Sequence, residues 1–316
     1  MNGPQWTLGV ALALGACTPE PADMTPAAST TAAATTSGPG PGSTSSGGAM
    51  ESTAADSTAE TTSMGASTSS STTATSSTTA AGESSTGVES TPFVVMTFNV
   101  RHGAESSLEA VAQVILDAEP DVVALQEVDQ NTTRSGNVFQ ADVLGEMTEM
   151  EPAFFAAIPL QGGEYGLSVL SRHPIATRAH QDLTSVGEQR ILAIADVMHP
   201  SGAVVTIANT HLGLTVAERE VQATEVIDAL AGRPNVVLMG DLNAEPTEST
   251  FAALEDVFSD AYAGIGERPG FTFPATEPTI RIDYILLGTE WAPPTSAVVV
   301  DTLTSDHRPI VVELAL

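Results

Sequence analysis

Short apolar runs, each closed by turn residues or a polar side chain, recur along the chain from about residue 92 onward. "FVVMTFNV" (93–100), "DVVALQEV" (121–128), "LSVLSR" (167–172) and "ILAIADVM" (191–198) begin the series. "AVVTIANTHL" (203–212), "NVVLMGDLN" (235–243), "RIDYILLG" (281–288) and "PIVVELAL" (309–316) continue it. They are short and rich in β-branched residues, which predicts buried strands. Between some of them the apolar spacing becomes helical. Ser106 and Glu109 form a capping box ahead of Leu108, Val111, Ala112 and Ile115, a stripe that stops before Pro120. Thr215 and Glu218 repeat that device for a helix ending near Gly232 and Pro234. "VMHPSGAVV" reads as a hairpin turning at Pro200, Ser201 and Gly202, so antiparallel pairing is mixed with helix crossovers. Many strands and few helices predict an α/β fold, two mixed sheets packed face to face with helices outside.

The polar residues fall where the strands end. Asn99 closes the first, Glu127 the second, and His211 follows Asn209 at the end of the fifth. "VVLMGDLNAEP" ends in Asp241 and Asn243, which alternation along extended chain turns to the same side. Asp283 sits within "RIDYILL", and Asp306 and His307 stand just before the last strand. Singly, each has an ordinary reading as a turn, a cap or a hydrogen-bonded surface group. Jointly they point to a site, because ligands of α/β proteins gather where strand ends converge. Carboxylates and amides brought together there offer hard oxygen ligands for Mg²⁺ or Mn²⁺, and histidines titrate near neutrality.

Composition separates the first ninety or so residues from the rest. Residues 25–91 are mostly Ser, Thr, Ala, Gly and Pro, with almost no large apolar side chains to offset the entropy of ordering. This stretch reads as a disordered linker whose average reach is about 45 Å. The N-terminus, "MNGPQWTLGVALALGACTPEP", carries an apolar run from Trp6 to Ala16 of the length of a signal-peptide core, too short to span a bilayer. "LGAC" resembles the bacterial lipobox, which implies a lipid on Cys17; no Lys or Arg precedes the run, unlike the usual signal peptide. The expected organisation is therefore a lipoprotein-type signal peptide over 1–16, a Ser/Thr-rich linker over 17–91 and a catalytic domain over 92–316. Such a protein would be exported to the cell envelope and tethered to a membrane through Cys17. Cys17 is the only cysteine, so the domain forms no internal disulfide. All ten basic residues are arginines, and seven of the 39 acidic residues precede residue 91. That leaves 32 acids against 10 arginines, a net of −22, with no basic face for nucleic acid.

"TFNVRHG", "LQEV", "GEYGLSVLSRHPI", "NTHLG", "GDLN", "RIDYILL" and "SDHRPI" occur in the order seen in the endonuclease/exonuclease/phosphatase superfamily. The chain from Phe93 onward thus resembles the pancreatic deoxyribonuclease-like, metal-dependent phosphohydrolases. The resemblance implies a four-layered α/β sandwich with the site between the edges of the two sheets. It implies Glu127 as principal ligand of Mg²⁺ or Mn²⁺, Asn99 beside it, and Asp306 supporting the metal directly or through water. Asp241 would orient and deprotonate the attacking water, and Asn243 would donate to the phosphoryl oxygen. His307 would contact the non-bridging oxygens or protonate the leaving group, Asp283 would fix its tautomer, and His211 would complete the phosphate clamp. Arg190 matches an arginine common in close relatives and suits phosphate as a planar fork, or else an ion pair at the surface. Tyr165 suits substrate stacking, or a place as a half-buried strand residue. Leu167 replaces an asparagine frequent in the family, removing any substrate contact from that position. Arg101 and His102 lie where they would line the pocket; His173 and His199 are at turns and carry no assigned role.

The expected function is hydrolysis of a phosphodiester or phosphomonoester by in-line attack of an activated water, with a monomer expected. Within that class a nuclease and a sphingomyelinase-like or inositol phosphatase-like hydrolase stay open, the former disfavoured by the acidic charge. A catalytically inactive surface binding module is the reading from a different class. Substrate choice comes from loops and not from the metal site, so the sequence leaves it undecided.

Overall fold

The computed structural model describes residues 92–315. The expected signal segment, Cys17 and the linker lie outside the described residues. In chain order the elements are β1 (Pro92–Asn99), α1 (Leu108–Ala118), β2 (Val122–Gln130), α2 (Gln140–Thr148), β3 (Glu151–Leu160), β4 (Gly163–Ser171), β5 (Ile175–Leu183) and β6 (Arg190–Met198). They continue with β7 (Val204–His211), α3 (Val216–Leu230), β8 (Val236–Asp241), α4 (Ser249–Glu255), β9 (Ser259–Asp260), β10 (Asp283–Leu287), β11 (Ser296–Val299) and β12 (Ile310–Ala315).

The strands form two six-stranded mixed sheets, in the orders β11-β12-β1-β2-β4-β3 and β5-β6-β7-β8-β10-β9. One neighbouring pair in each is parallel, β1 with β2 and β7 with β8, each joined through a helix as parallel pairing requires. Alternation along these strands explains the layers. In β1 and β2, Val95, Val122 and Ala124 face the other sheet, where Ala193, Ile207, Val237 and Ile285 meet them. Their neighbours Met96, Val123 and Leu125 face outward under Val111 and Ile115 of α1 and Leu144 of α2. The second sheet repeats the arrangement, with Leu192, Ala208 and Leu238 covered by Val226 of α3 and Phe251 of α4. Both faces of the central strands are dry, and for that reason their sequences read as continuous apolar runs. The result is the four-layered α/β sandwich.

Several local expectations need correction. The cap of α1 is Ser107, one residue later than Ser106, its hydroxyl accepting from the Ala110 backbone N–H at 3.4 Å. Thr215 does cap α3, accepting from Glu218 N, but the Glu218 carboxylate does not return the bond; it accepts from the Val186 backbone N–H at 3.1 Å. The hairpin at Pro200–Gly202 forms between β6 and β7, closed by His199 N to Ala203 O at 2.9 Å. Four strands stand outside the predicted series, β3, β5, β9 and β11. All four are edges: β5 is exposed over most of its length and β3 carries Pro152 and Pro159, devices that blunt edge pairing and also erase the buried-strand signal.

Candidate active site

The floor of the site is laid by register. His211 pairs with Asp241 across the parallel β7–β8 ladder, and Asp283 pairs with Asp241 across the antiparallel β8–β10 ladder. Directly paired residues project to the same face, so the three side chains emerge together at one edge of their sheet. Gly240 makes this approach feasible: its φ is +147°, and a Cβ there would lie 1.9 Å from the Thr210 carbonyl oxygen. Asn243 adopts φ +49°, a left-handed conformation that asparagine tolerates. Its backbone N–H donates to Asp241 Oδ1 at 2.9 Å, and its side-chain nitrogen donates to the Leu212 carbonyl at 3.0 Å.

The other sheet contributes Asn99 and Glu127. The β2–β4 register shifts between Leu125 and Val128, and Glu127 within that bulge has φ +58°. The bulge re-aims its carboxylate toward the opposing sheet. Asn99 Nδ2 bridges the two layers, donating to Glu127 Oε1 at 3.2 Å and to Asp241 Oδ2 at 3.1 Å, while its Oδ1 accepts from Arg101 N. Beneath them, Gln126 Nε2 donates to Asn209 Oδ1 at 2.8 Å, and Asn209 Nδ2 donates to the Leu125 and Ser168 carbonyls at 2.9 Å each. Sequence reasoning gave Gln126 and Asn209 no part in the site. Their signal was a side-chain amide standing just inside the polar end of each of two mainly apolar runs.

The loop before β12 brings His307 over this floor. Its Nδ1 lies 2.9 Å from Asp283 Oδ2, and its Nε2 lies 3.7 Å from Asp241 Oδ2. Burial alone would lower the imidazole, but the charge and hydrogen bond of Asp283, with Asp241 and Asp306, override it and push the group up to about 10. His211 behaves oppositely. Its Nε2 lies 3.4 Å from Asp241 Oδ2, yet burial holds it down at about 3, so it is neutral near pH 7. Asp306 follows Ser305, whose hydroxyl donates to the Asn99 carbonyl at 2.7 Å, and Asp306 Oδ2 lies 3.3 Å from Arg101 Nη1.

Glu127, His211, Asp241, Asn243, Asp306 and His307 line a cleft of about 430 Å³ together with Tyr165, Arg134 and Arg190, and Asn99 and Asp283 are buried beneath them. Arg190 is nearly buried, its Nη1 donating to Glu188 Oε1 at 2.8 Å. Tyr165 is buried and not half-buried, with Arg134 lying over its ring. Phe273 tilts against His307 at 4.8 Å between ring centroids. Leu167 packs into the core between the sheets, behind Tyr165, Arg190 and His211. His173 and His199 pack on Phe93, at the far end of β1 from Asn99. All ten residues expected at a site therefore gather in or immediately beneath one cleft. Arg134 and Phe273 are additions; Arg134 was hidden in a polar turn, "QNTTRSGN", with no periodicity to mark it.

Two donor sets fit a divalent cation differently. Asp241, Asp283 and His307 bring one ligand atom each within 4.8 Å of one another, but there the imidazole already occupies the space between the carboxylates. Glu127 and Asp306 are less committed. Burial raises the Glu127 carboxyl above its usual range; the Asn99 hydrogen bond opposes this, and the charges of Asp241 and Asp306 add to it. Beside Glu127 Oε2, at 3.9 Å, His102 Nδ1 is buried without a hydrogen-bond partner. Clustered carboxylates with an orphaned nitrogen nearby suit a hard cation, which relieves their repulsion.

Solved structures share this fold. An endonuclease/exonuclease/phosphatase from Beutenbergia cavernae superposes with a TM-score of 0.63 at 24% identity, covering 71% of this chain and 72% of its own. A mannosyl-6-phosphatase from Bacteroides thetaiotaomicron gives 0.60 at 17% identity, covering 71% and 100%. The human Nocturnin catalytic domain with bound sulfate gives 0.57 at 22% identity, covering 71% and 93%. Among curated proteins, none matches in sequence. The family model described as "Endonuclease/Exonuclease/phosphatase family" matches residues 96–307, which span every strand-end residue described above. The chain belongs to the endonuclease/exonuclease/phosphatase family.

Proposed function

We propose that this chain is a divalent-metal-dependent phosphoesterase that hydrolyses a phosphomonoester or phosphodiester by in-line attack of water. Enzymes of the family hydrolyse phosphoesters and usually use divalent metals. The observation that carries the reading is the convergence on Asp241 Oδ2 of Asn99 Nδ2, His211 Nε2 and His307 Nε2, at 3.1, 3.4 and 3.7 Å. A carboxylate so surrounded is held in one orientation, as a general base must be.

Asp241 takes a proton from water as the water oxygen bonds to phosphorus. The bond to the leaving oxygen breaks, and His307, protonated near pH 7, returns a proton to it. Asp283 keeps the His307 ring oriented and charged. His211, as a neutral donor, and the side-chain amide of Asn243 face the phosphoryl oxygens. Tyr165 and Arg190 shape the substrate side of the cleft. A divalent cation held by Glu127 and Asp306, with Asn99 alongside, would supply neutralisation of phosphoryl charge and of the departing oxygen.

The acidic balance favours small phosphoesters or lipid headgroups over duplex DNA, since few cations are present to displace counterions from a duplex. A lipid on Cys17 and a Ser/Thr-rich tether would place such an enzyme at an envelope membrane. Assay of the full chain against nucleic acids, phospholipids and phosphorylated sugars, with Mg²⁺ and Mn²⁺, tests the reading. Turnover of one class supports it, and no turnover of any overturns it.

A further inference from the structure

We propose that Arg134 forms a second anion subsite in the cleft, taking a further negatively charged group, such as a second phosphate, of a small phosphoester substrate. The inference rests on the phosphoesterase reading and adds to it the kind of ester selected.

Asp129, two residues after Glu127, is fully buried. Its carboxylate accepts from Arg134 Nε at 2.8 Å and Nη2 at 2.7 Å, a two-point fork, and from Thr132 Oγ1 at 2.7 Å. Its backbone N–H donates to Gln140 Oε1, and Gln140 Nε2 donates to the His102 carbonyl beside Glu127. The guanidinium also lies 5.1 Å over the ring of Tyr165. Arg134 is thereby fixed along one edge and one face, at little further entropic cost when a ligand arrives.

What remains of it is available. The side chain is 29% exposed within the cleft, and Nη1 makes no hydrogen bond to a described residue. Arg190 differs, being 10% exposed and closed off by Glu188 through its Nη1. A counterion serving only to neutralise Asp129 has no need of a place on the cleft wall, which Arg134 occupies. The cleft volume of about 430 Å³ suits a small ligand. In a domain this acidic, a dianionic or polyanionic ester needs fixed local cations, and Arg134 is a preorganised one.

Isothermal titration of the full chain, in Mg²⁺ at fixed ionic strength, with fructose 1,6-bisphosphate and with fructose 6-phosphate tests this. The wild type should bind the bisphosphate at least about tenfold more tightly, one good charge-assisted contact being worth that much. Arg134→Gln should reduce that ratio to near one, and Arg134→Lys, which keeps charge but loses the fork, should reduce it in part. Equal affinities in the wild type, or a ratio unchanged in either folded variant, would overturn the subsite. Hydrolysis of p-nitrophenyl phosphate and bis(p-nitrophenyl) phosphate by the wild type is measured alongside. Absence of both activities in the wild type, with the binding ratio as expected, strikes the phosphoesterase reading and leaves the anion subsite standing.

Discussion

Asp283 Oδ2 stands 2.9 Å from His307 Nδ1, a contact made between β10 and the loop that precedes β12, so one imidazole is locked to one sheet from the other. The pair should act as a unit. Asp283→Asn and His307→Ala should each lower kcat/KM by about 100-fold or more, and the double variant should be no worse than about threefold below the poorer single. In Asp283→Asn the imidazole should also titrate well below its raised value of about 10, as read by NMR. Multiplying losses, or an unmoved titration, would show that the two are not partners.

Much of this was legible in sequence because strand-end chemistry and strand burial share one pattern. An apolar run that stops at Asn99, His211 or Asp241 announces both a buried strand and a polar edge. What could not be read was register. The pairing of Asp241 with both His211 and Asp283, and the bulge that turns Glu127, depend on contacts across the sheets. The edge strands β3 and β5 escaped for the reason already given by their exposure and prolines. Arg134 escaped because a rooted arginine and a solvated one look alike in a turn, the difference lying in buried Asp129.

Metal binding should stabilise the wild type through Glu127. Excess Mg²⁺ at about 100 times its dissociation constant adds about 2.7 kcal/mol to a protein that binds it only when folded. Glu127→Gln should lose most of the resulting rise in Tm and most turnover at saturating Mg²⁺. In chelator it should melt no lower than the wild type, since burial and neighbouring charge disfavour the ionised Glu127. An undiminished Mg²⁺ shift in the variant would remove Glu127 from the metal site.

Acid should destabilise the fold through His211. Its folded value, about 3, lies below the ordinary 6.5, so the unfolded chain binds a proton that the folded one refuses between those limits. Stability is thus full above about pH 6.5 and falls as pH drops toward 3, by up to about 1.4 kcal/mol per pH unit for one proton. Denaturant titrations across that window should show a shallower fall in His211→Gln. A slope identical to the wild type would mean that His211 titrates normally.

Duplex DNA should bind weakly and be a poor substrate. With 39 acidic residues and 10 arginines in the chain, few phosphates can be neutralised, so the slope of log affinity against log salt should be shallow. A steep slope, with duplex DNA the best substrate by tenfold or more, would restore a nuclease as the leading assignment.

Turnover of p-nitrophenyl phosphate and bis(p-nitrophenyl) phosphate in Mg²⁺, by the wild type and by Asp241→Asn, examines the base most directly. The wild type should hydrolyse at least one of the two esters, and the near-isosteric variant, folded with an unchanged circular dichroism spectrum, should lose about 100- to 10,000-fold in kcat. A folded Asp241→Asn protein that keeps wild-type turnover would contradict the placement of the chemistry at the end of β8.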